Sequence, residues 1–367
     1  MTDAMSPASL VVWGGFVLAF IFGAVASKTN FCTMGAISDV VNMAHWGRIR
    51  MWLLAIAVAV IGANLLYFLG LIDLSKSIYV RPSLPWLSLV VGGVSFGIGM
   101  TIAGGCANKN LIRLGAGSLR SLVVLVFVAI SAYMTLKGLF GQWRAGFLDP
   151  VVLDLSAWGL AGQTLPQIVT KLTGLADKTA LLASTAVVSL GIVAFVLKDK
   201  RFRANVLQLA GSVVLGLLVV AAWYLTGHVG FGENPETMEA VYFATNTRTL
   251  ESFSFVAPTA FGLELLMLWT DSSLHMSFGI ASALGVILGS FVYAISTRQF
   301  RWEGFASVDD LRTQLFGAML MGFGGVTALG CTVGQGMSGV STLALGSFIA
   351  LAGIVGGAVA TMHFQNR

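Results

Sequence analysis

The sequence predicts an all-α polytopic membrane protein, and three observations carry that prediction. Of 367 residues, 56% are hydrophobic and only 10% charged, against about 25% charged in an ordinary soluble domain, so the chain has too few charges to clothe an aqueous surface. Apolar runs of membrane length recur along its whole length. Glycine, at 44 residues, makes up about 12% against a usual ~7%, a composition suited to helices that approach closely or break inside a bilayer.

The runs fall near 10–26, 51–72, 86–105, 121–141, 179–197, 205–226, 253–270, 276–297, 311–330 and 340–361. The opening MTDAMSPASL has neither a basic region nor a small-residue cleavage site, so no signal peptide is expected and the first run stays in the mature protein. The net charge of +5 comes from 21 Lys and Arg against 16 Asp and Glu. No basic run is long enough for a nucleic-acid arm, so the excess reads as an orientation signal and the bilayer as the partner. Basic clusters at His45–Arg50, at Lys109, Arg113 and Arg120, at Lys198–Arg203, and at Arg298 and Arg301 mark four cytoplasmic turns.

From 198–203 the chain crosses outward to 227–250, a loop with Glu233, Glu236 and Glu239 and Arg248 as its only Lys or Arg. It must return to Arg298 by an odd number of crossings, yet two apolar runs intervene. The segment 253–270 is short, holds Pro258 and Gly262 and ends at Asp271, which predicts a re-entrant piece that enters and leaves on one side. The stretch 142–178, with Trp143, Trp158, Asp149 and Lys171, reads as an external cap.

Gly92–Cys106 and Gly317–Cys331 share six identities in fifteen positions at a constant offset of 225, more than a glycine-rich composition supplies by chance. The chain therefore divides into a first repeat over 1–141, a connecting segment with one transmembrane helix over 142–204, and a second repeat over 205–367. Paired repeats in transporters place the site where broken helices of the two halves meet. Each copy ends in Gly-Cys, and Cys32-Thr33-Met34-Gly35 matches Cys331-Thr332-Val333-Gly334. A free cysteine is most often a small buried hydrophobe, but here all three stand in one repeated context. Gly105 and Gly330 permit positive φ and uncovered N–H groups at the start of a following half-helix, an anion site by geometry and dipole. Cys32, Cys106 and Cys331 would offer S–H donors to such an anion. Lys28, Lys109, Arg113 and Gln335 are the nearby groups able to attract it, snorkelling and positive-inside anchoring being the plain alternatives. No Cys-x-x-Cys pair or histidine cluster points to a metal or other cofactor.

Gly104-Gly105-Cys106 with Asn108-Lys109-Asn110-Leu111-Ile112-Arg113-Leu114-Gly115, together with Leu329-Gly330-Cys331-Thr332, Asn30-Phe31-Cys32 and Arg298-Gln299-Phe300-Arg301-Trp302, resemble the YeeE/YedE family of sulfur-transport membrane proteins. The resemblance implies transmembrane helices and re-entrant half-helices around an hourglass path in a bacterial inner membrane, with thiosulfate handed between Cys32, Cys106 and Cys331. It also implies a separate TusA-like cytoplasmic sulfur carrier. The chain departs from the commoner family pattern at Ala107-Asn108-Lys109, where small residues often stand. Relatives linked to other sulfur or selenium compounds keep those substrates as alternatives. An enzyme alternative is a membrane-embedded sulfurtransferase passing persulfide sulfur to the carrier, which needs a low-pKa thiolate; the reading preferred here is a transporter and not an enzyme.

Overall fold

The computed structural model describes residues 6–233 and 238–366; Glu236 and the first five residues of the segment read for a signal peptide lie outside them. Fifteen helices among the described residues dominate the fold. They are α1 (Pro7–Lys28), α2 (Thr33–Met43), α3 (Gly47–Phe68), α4 (Trp86–Ile102), α5 (Ala107–Gly115), α6 (Leu119–Lys137), α7 (Leu139–Trp143) and α8 (Leu165–Thr173), followed by α9 (Asp177–Leu197), α10 (Lys200–Ala204), α11 (Val206–Tyr224), α12 (Ala257–Met267), α13 (Phe278–Ser296), α14 (Val308–Thr327) and α15 (Leu345–Gln365). A short π-helical turn, Gly334–Gly339, sits between the last two. Four two- or three-residue strands form two small antiparallel pairs in the loops, β1 (Ser83–Leu84) with β2 (Leu153–Asp154) and β3 (Phe231–Glu233) with β4 (Ala240–Tyr242).

Local chemistry explains the helix starts. Ser6 accepts from Ser9 N at 3.2 Å ahead of Pro7, whose missing N–H costs nothing in a first turn. Ser118, Ser277 and Ser307 cap α6, α13 and α14 in the same way, and Asp309 and Asp310 sit at the positive end of α14. Every apolar run read from the sequence contains a helix, run 253–270 only over α12. Among the described residues, eight helical stretches are long and apolar enough to cross a bilayer; large side chains such as Val187, Leu190 and Leu217 face outward from them, which suits a hydrocarbon surround and no aqueous one. The chain is a multi-pass membrane protein.

The basic clusters gather at one end. Arg50 pairs with Asp199, Arg301 N donates to Ala116 O at 3.1 Å and Arg120 N to Glu303 O at 3.3 Å. At the opposite end lie the strand pairs, the Leu165 N to Leu343 O bond of 2.9 Å and the Phe278 N to Ala244 O bond of 2.8 Å. Segment 253–270 enters from this opposite end as an extended strip carrying the fully buried Phe253, Phe255 and Val256, then returns as the eleven-residue α12. Pro258 stands in the first turn of α12, where it starts the helix instead of breaking one.

Between α4 and α14 there is almost no side-chain layer. A methyl group on Gly99 would lie 2.6 Å from Gly317 O, one on Gly317 would lie 2.8 Å from Gly99 O, and Gly92 and Gly324 meet in the same manner. Adding 225 to one member of each pair gives the other pair: 92 becomes 317 and 99 becomes 324. Outside this seam, Gly97 of α4 lies against Ile354 O and Ala358 N of α15, and Gly322 of α14 lies against Val128 O and Ala132 N of α6. Those partners are related by 226.

Candidate functional site

Each cysteine follows a break that has one local shape. Two positions before it the backbone turns left-handed, at Asn30 (φ 53°), Gly104 (φ 69°) and Leu329 (φ 58°). Gly105 and Gly330, expected to supply that conformation, do not adopt it; they sit one residue later, where Phe31 occupies the third copy. Gly330 gives space instead, since a methyl group there would stand 3.0 Å from Gln335 N. After each break a short helical piece begins. Cys32 is the N-cap of α2, with Sγ accepting from Gly35 N at 3.3 Å. Cys106 is the N-cap of α5. Cys331 Sγ accepts from Gly334 N at 3.4 Å at the head of the π-helical turn. All three are free and buried.

The half-helices converge. The side chains of Cys32 and Cys106 lie beside each other, and Thr332 lies beside Cys106 as well. The Thr332 hydroxyl is fully buried with no nitrogen or oxygen partner among the described residues, and the Cys106 thiol lies beside it. Tyr79 neighbours Cys331, and a methyl group on Gly334 would lie 2.7 Å from Ser254 Oγ. The turn after Cys331 is anchored by Asn64 Nδ2 to Ser341 O (2.9 Å), Trp223 Nε1 to Ser341 Oγ (2.9 Å) and Ser338 Oγ to Phe253 O (2.7 Å).

The cations named from the sequence take separate places. Lys109 Nζ donates to Asn30 Oδ1 at 2.7 Å, joining α5 to the break before α2. Arg113 Nη1 donates to Gly104 O at 2.9 Å, holding the left-handed turn. Lys28, in the last turn of α1, is exposed. Gln335 spends its N–H₂ on Ala328 O at 2.5 Å, and the residue at the same offset, Asn110, donates to Gly105 O at 3.1 Å. Both amides close the break in front of them.

From the opposite end a cavity of 270 Å³ reaches Leu329 and Gly330, with Arg81, Arg144, Asn246, Glu251 and Tyr79 in its wall. Arg144 pairs with Asp149 at 3.1 Å. These residues, with Thr332 and Ser254, escaped the sequence reading. Arg81 and Arg144 did carry a signal, since arginines on a face expected to be poor in them call for a reason. Among the described residues no cluster of His, Cys, Asp and Glu could hold a metal.

A chain of thiols and hydroxyls at the heads of short helical pieces inside a helical membrane protein suits a small anion. The model of the sulphur transport family matches residues 28–360, from the end of α1 through most of α15. The chain belongs to the sulphur transport family. Among its relatives, the thiosulfate transporter TsuA of Escherichia coli (strain K12) is 26% identical over 340 residues, covering 89% of this chain and 87% of that protein. The thiosulfate transporter TsuA of Spirochaeta thermophila is 26% identical over 345 residues, covering 93% and 94%. The span matched to the family takes in all three cysteine breaks.

Proposed function

We propose that this member of the sulphur transport family carries thiosulfate across a bacterial inner membrane, the ion passing from Cys331 to Cys106 and Cys32. The observation that carries the reading is the placement of three free thiols, each at the head of a short helical piece, with the Arg81 and Arg144 cavity ending at Gly330, next in sequence to Cys331, and Cys32 beside Cys106 towards the basic end. Thiols make weak hydrogen bonds, so each station holds the ion without trapping it. The two relatives named as thiosulfate transporters support the choice of substrate. By the positive-inside rule the basic end is cytoplasmic, which gives uptake from the cavity side and leaves a separate TusA-like carrier as the receiver.

The crosswise contacts of Gly92, Gly99, Gly317 and Gly324 support a pseudo-two-fold repeat of 1–141 and 205–367 joined by 142–204. Lys109 and Arg113 draw the anion towards the basic end. The test is uptake of thiosulfate labelled on both sulfur atoms into proteoliposomes, by the wild type and by Cys32→Ala, Cys106→Ala and Cys331→Ala. Uptake of both atoms together, lost in each folded variant, is the expected result. Normal uptake by all three variants would sink the relay, and one sulfur left outside would mean sulfur transfer.

A further inference from the structure

The repeat that relates Cys106 to Cys331 also relates Lys109 to Gly334, both three residues after their cysteine. The two sites differ there. Beside Cys331 the position carries no side chain, and Ser254 Oγ and Tyr79 Oη stand within 3.5 Å of where one would begin. Beside Cys106 the Lys109 side chain spans from α5 to Asn30, a residue exposed at the surface, and its ammonium donates to the Asn30 carbonyl oxygen at 2.7 Å. Beneath that bond lie Cys32, 6% exposed, and Cys106, 1% exposed.

The partner is a neutral amide. Lys109 makes no ion pair with a carboxylate among the described residues; its neighbours are the guanidiniums of Arg113 and Arg48, which repel it, and the thiols of Cys32 and Cys106. Arg48 is itself paired with Asp39, and Arg113 is bonded to Gly104 O. An ammonium held only by an amide oxygen keeps its positive charge uncompensated, so an anion reaching the cysteines is a better partner than Asn30. A carboxylate at 30 would remove that advantage.

We propose that the Lys109–Asn30 hydrogen bond is a latch over the cysteine pair at the basic end, opened when an anion at Cys32 and Cys106 takes the ammonium from Asn30. The proposal rests on the anion-path reading above, and it gives Lys109 a gating role beyond attraction. With the latch closed, the path is shut at the basic end while the opposite end is open as far as Gly330. Opening needs one lysine side chain to change partner, a motion of nanoseconds, and no helix to move.

The latch is tested by thiol labelling, which does not depend on what the protein transports. Vesicles exposing the basic end are treated with an uncharged, membrane-impermeant maleimide, and labelling of each cysteine is followed by mass spectrometry. Lys109→Ala is expected to label several-fold faster at Cys32 and Cys106 than the wild type, and Asn30→Asp, which turns the latch into an ion pair, several-fold slower. Asn30→Asp is also expected to slow thiosulfate uptake. Thermal unfolding of each variant in detergent, expected at the wild-type midpoint, reports that it is folded. If Cys32 and Cys106 label at the wild-type rate in both folded variants, there is no latch. Differential labelling without any thiosulfate uptake by the wild type would leave the latch standing and overturn the substrate; robust uptake with indifferent labelling would do the reverse.

Discussion

A left-handed residue costs an L-amino acid about 1–2 kcal/mol, and the three breaks meet that cost differently. Gly104 avoids it, Asn30 lowers it with a short polar side chain, and Leu329 bears it in full. Gly104→Ala should therefore lower stability by about 1–2 kcal/mol, whereas Gly105→Ala, whose new methyl meets only side-chain atoms, of Lys109 at 3.3 and 3.4 Å and Arg113 at 3.6 Å, should cost far less. Thermal unfolding of the two variants in detergent checks the contrast; equal losses would mean that Gly105 shares the strain. The Gly-Gly-Cys and Leu-Gly-Cys strings showed that the chain breaks before each cysteine. They did not show which residue takes positive φ, because a glycine is compatible with either conformation and Leu329 carries no mark of it. Thr332 was equally silent: a threonine beside a cysteine is ordinary until its hydroxyl is found buried with no nitrogen or oxygen partner.

Among the helices, the α4–α14 seam is the contact least tolerant of change. A methyl at Gly99 would press on Gly317 O at 2.6 Å and Met321 N at 2.7 Å, both backbone atoms that cannot turn aside. Overpacking of this kind costs about 1–3 kcal/mol even where side chains can yield, so Gly99→Ala should reach or exceed the upper end. Gly262→Ala in α12 is the control, since its methyl finds only Ile280 Cγ2 at 3.8 Å and alanine favours a helix by about 1 kcal/mol. Chemical denaturation in mixed micelles separates the two; a tolerant Gly99 would show that the helices are free to part. The nine long helices among the described residues were readable because apolar runs of membrane length have one cheap structure in a bilayer. The half-helices α2 and α5 were not readable as elements, being too short for a run, and α5 (ANKNLIRLG) is too polar. Only the repeated cysteine context pointed to them.

Across the whole molecule, charge is divided between two faces. The basic end holds most of the cations, while the opposite cavity sets Arg81 and Arg144 against Glu251. Burial pushes the Glu251 carboxyl above the usual glutamate range, against two hydrogen bonds from Thr247 that lower it. A raised carboxyl pKa means that mild acid neutralises the one acidic side chain in the cavity wall, beside Arg81, Arg144 and Tyr79. Thiosulfate uptake from that side should rise as pH falls through the Glu251 titration, and Glu251→Gln should hold the high rate at neutral pH and flatten the profile. An unchanged profile in the variant would remove Glu251 from the cavity's electrostatics.

The glycine seam has a mechanical consequence. Two backbones in contact, with no side chains between them to change rotamer, behave as a weld, and a weld at the centre of the molecule resists any cycle in which the halves swing past each other. Under the proposed function, a molecule fastened in that way would pass its ion along a fixed path, and its throughput is expected to climb with temperature about as gently as diffusion does.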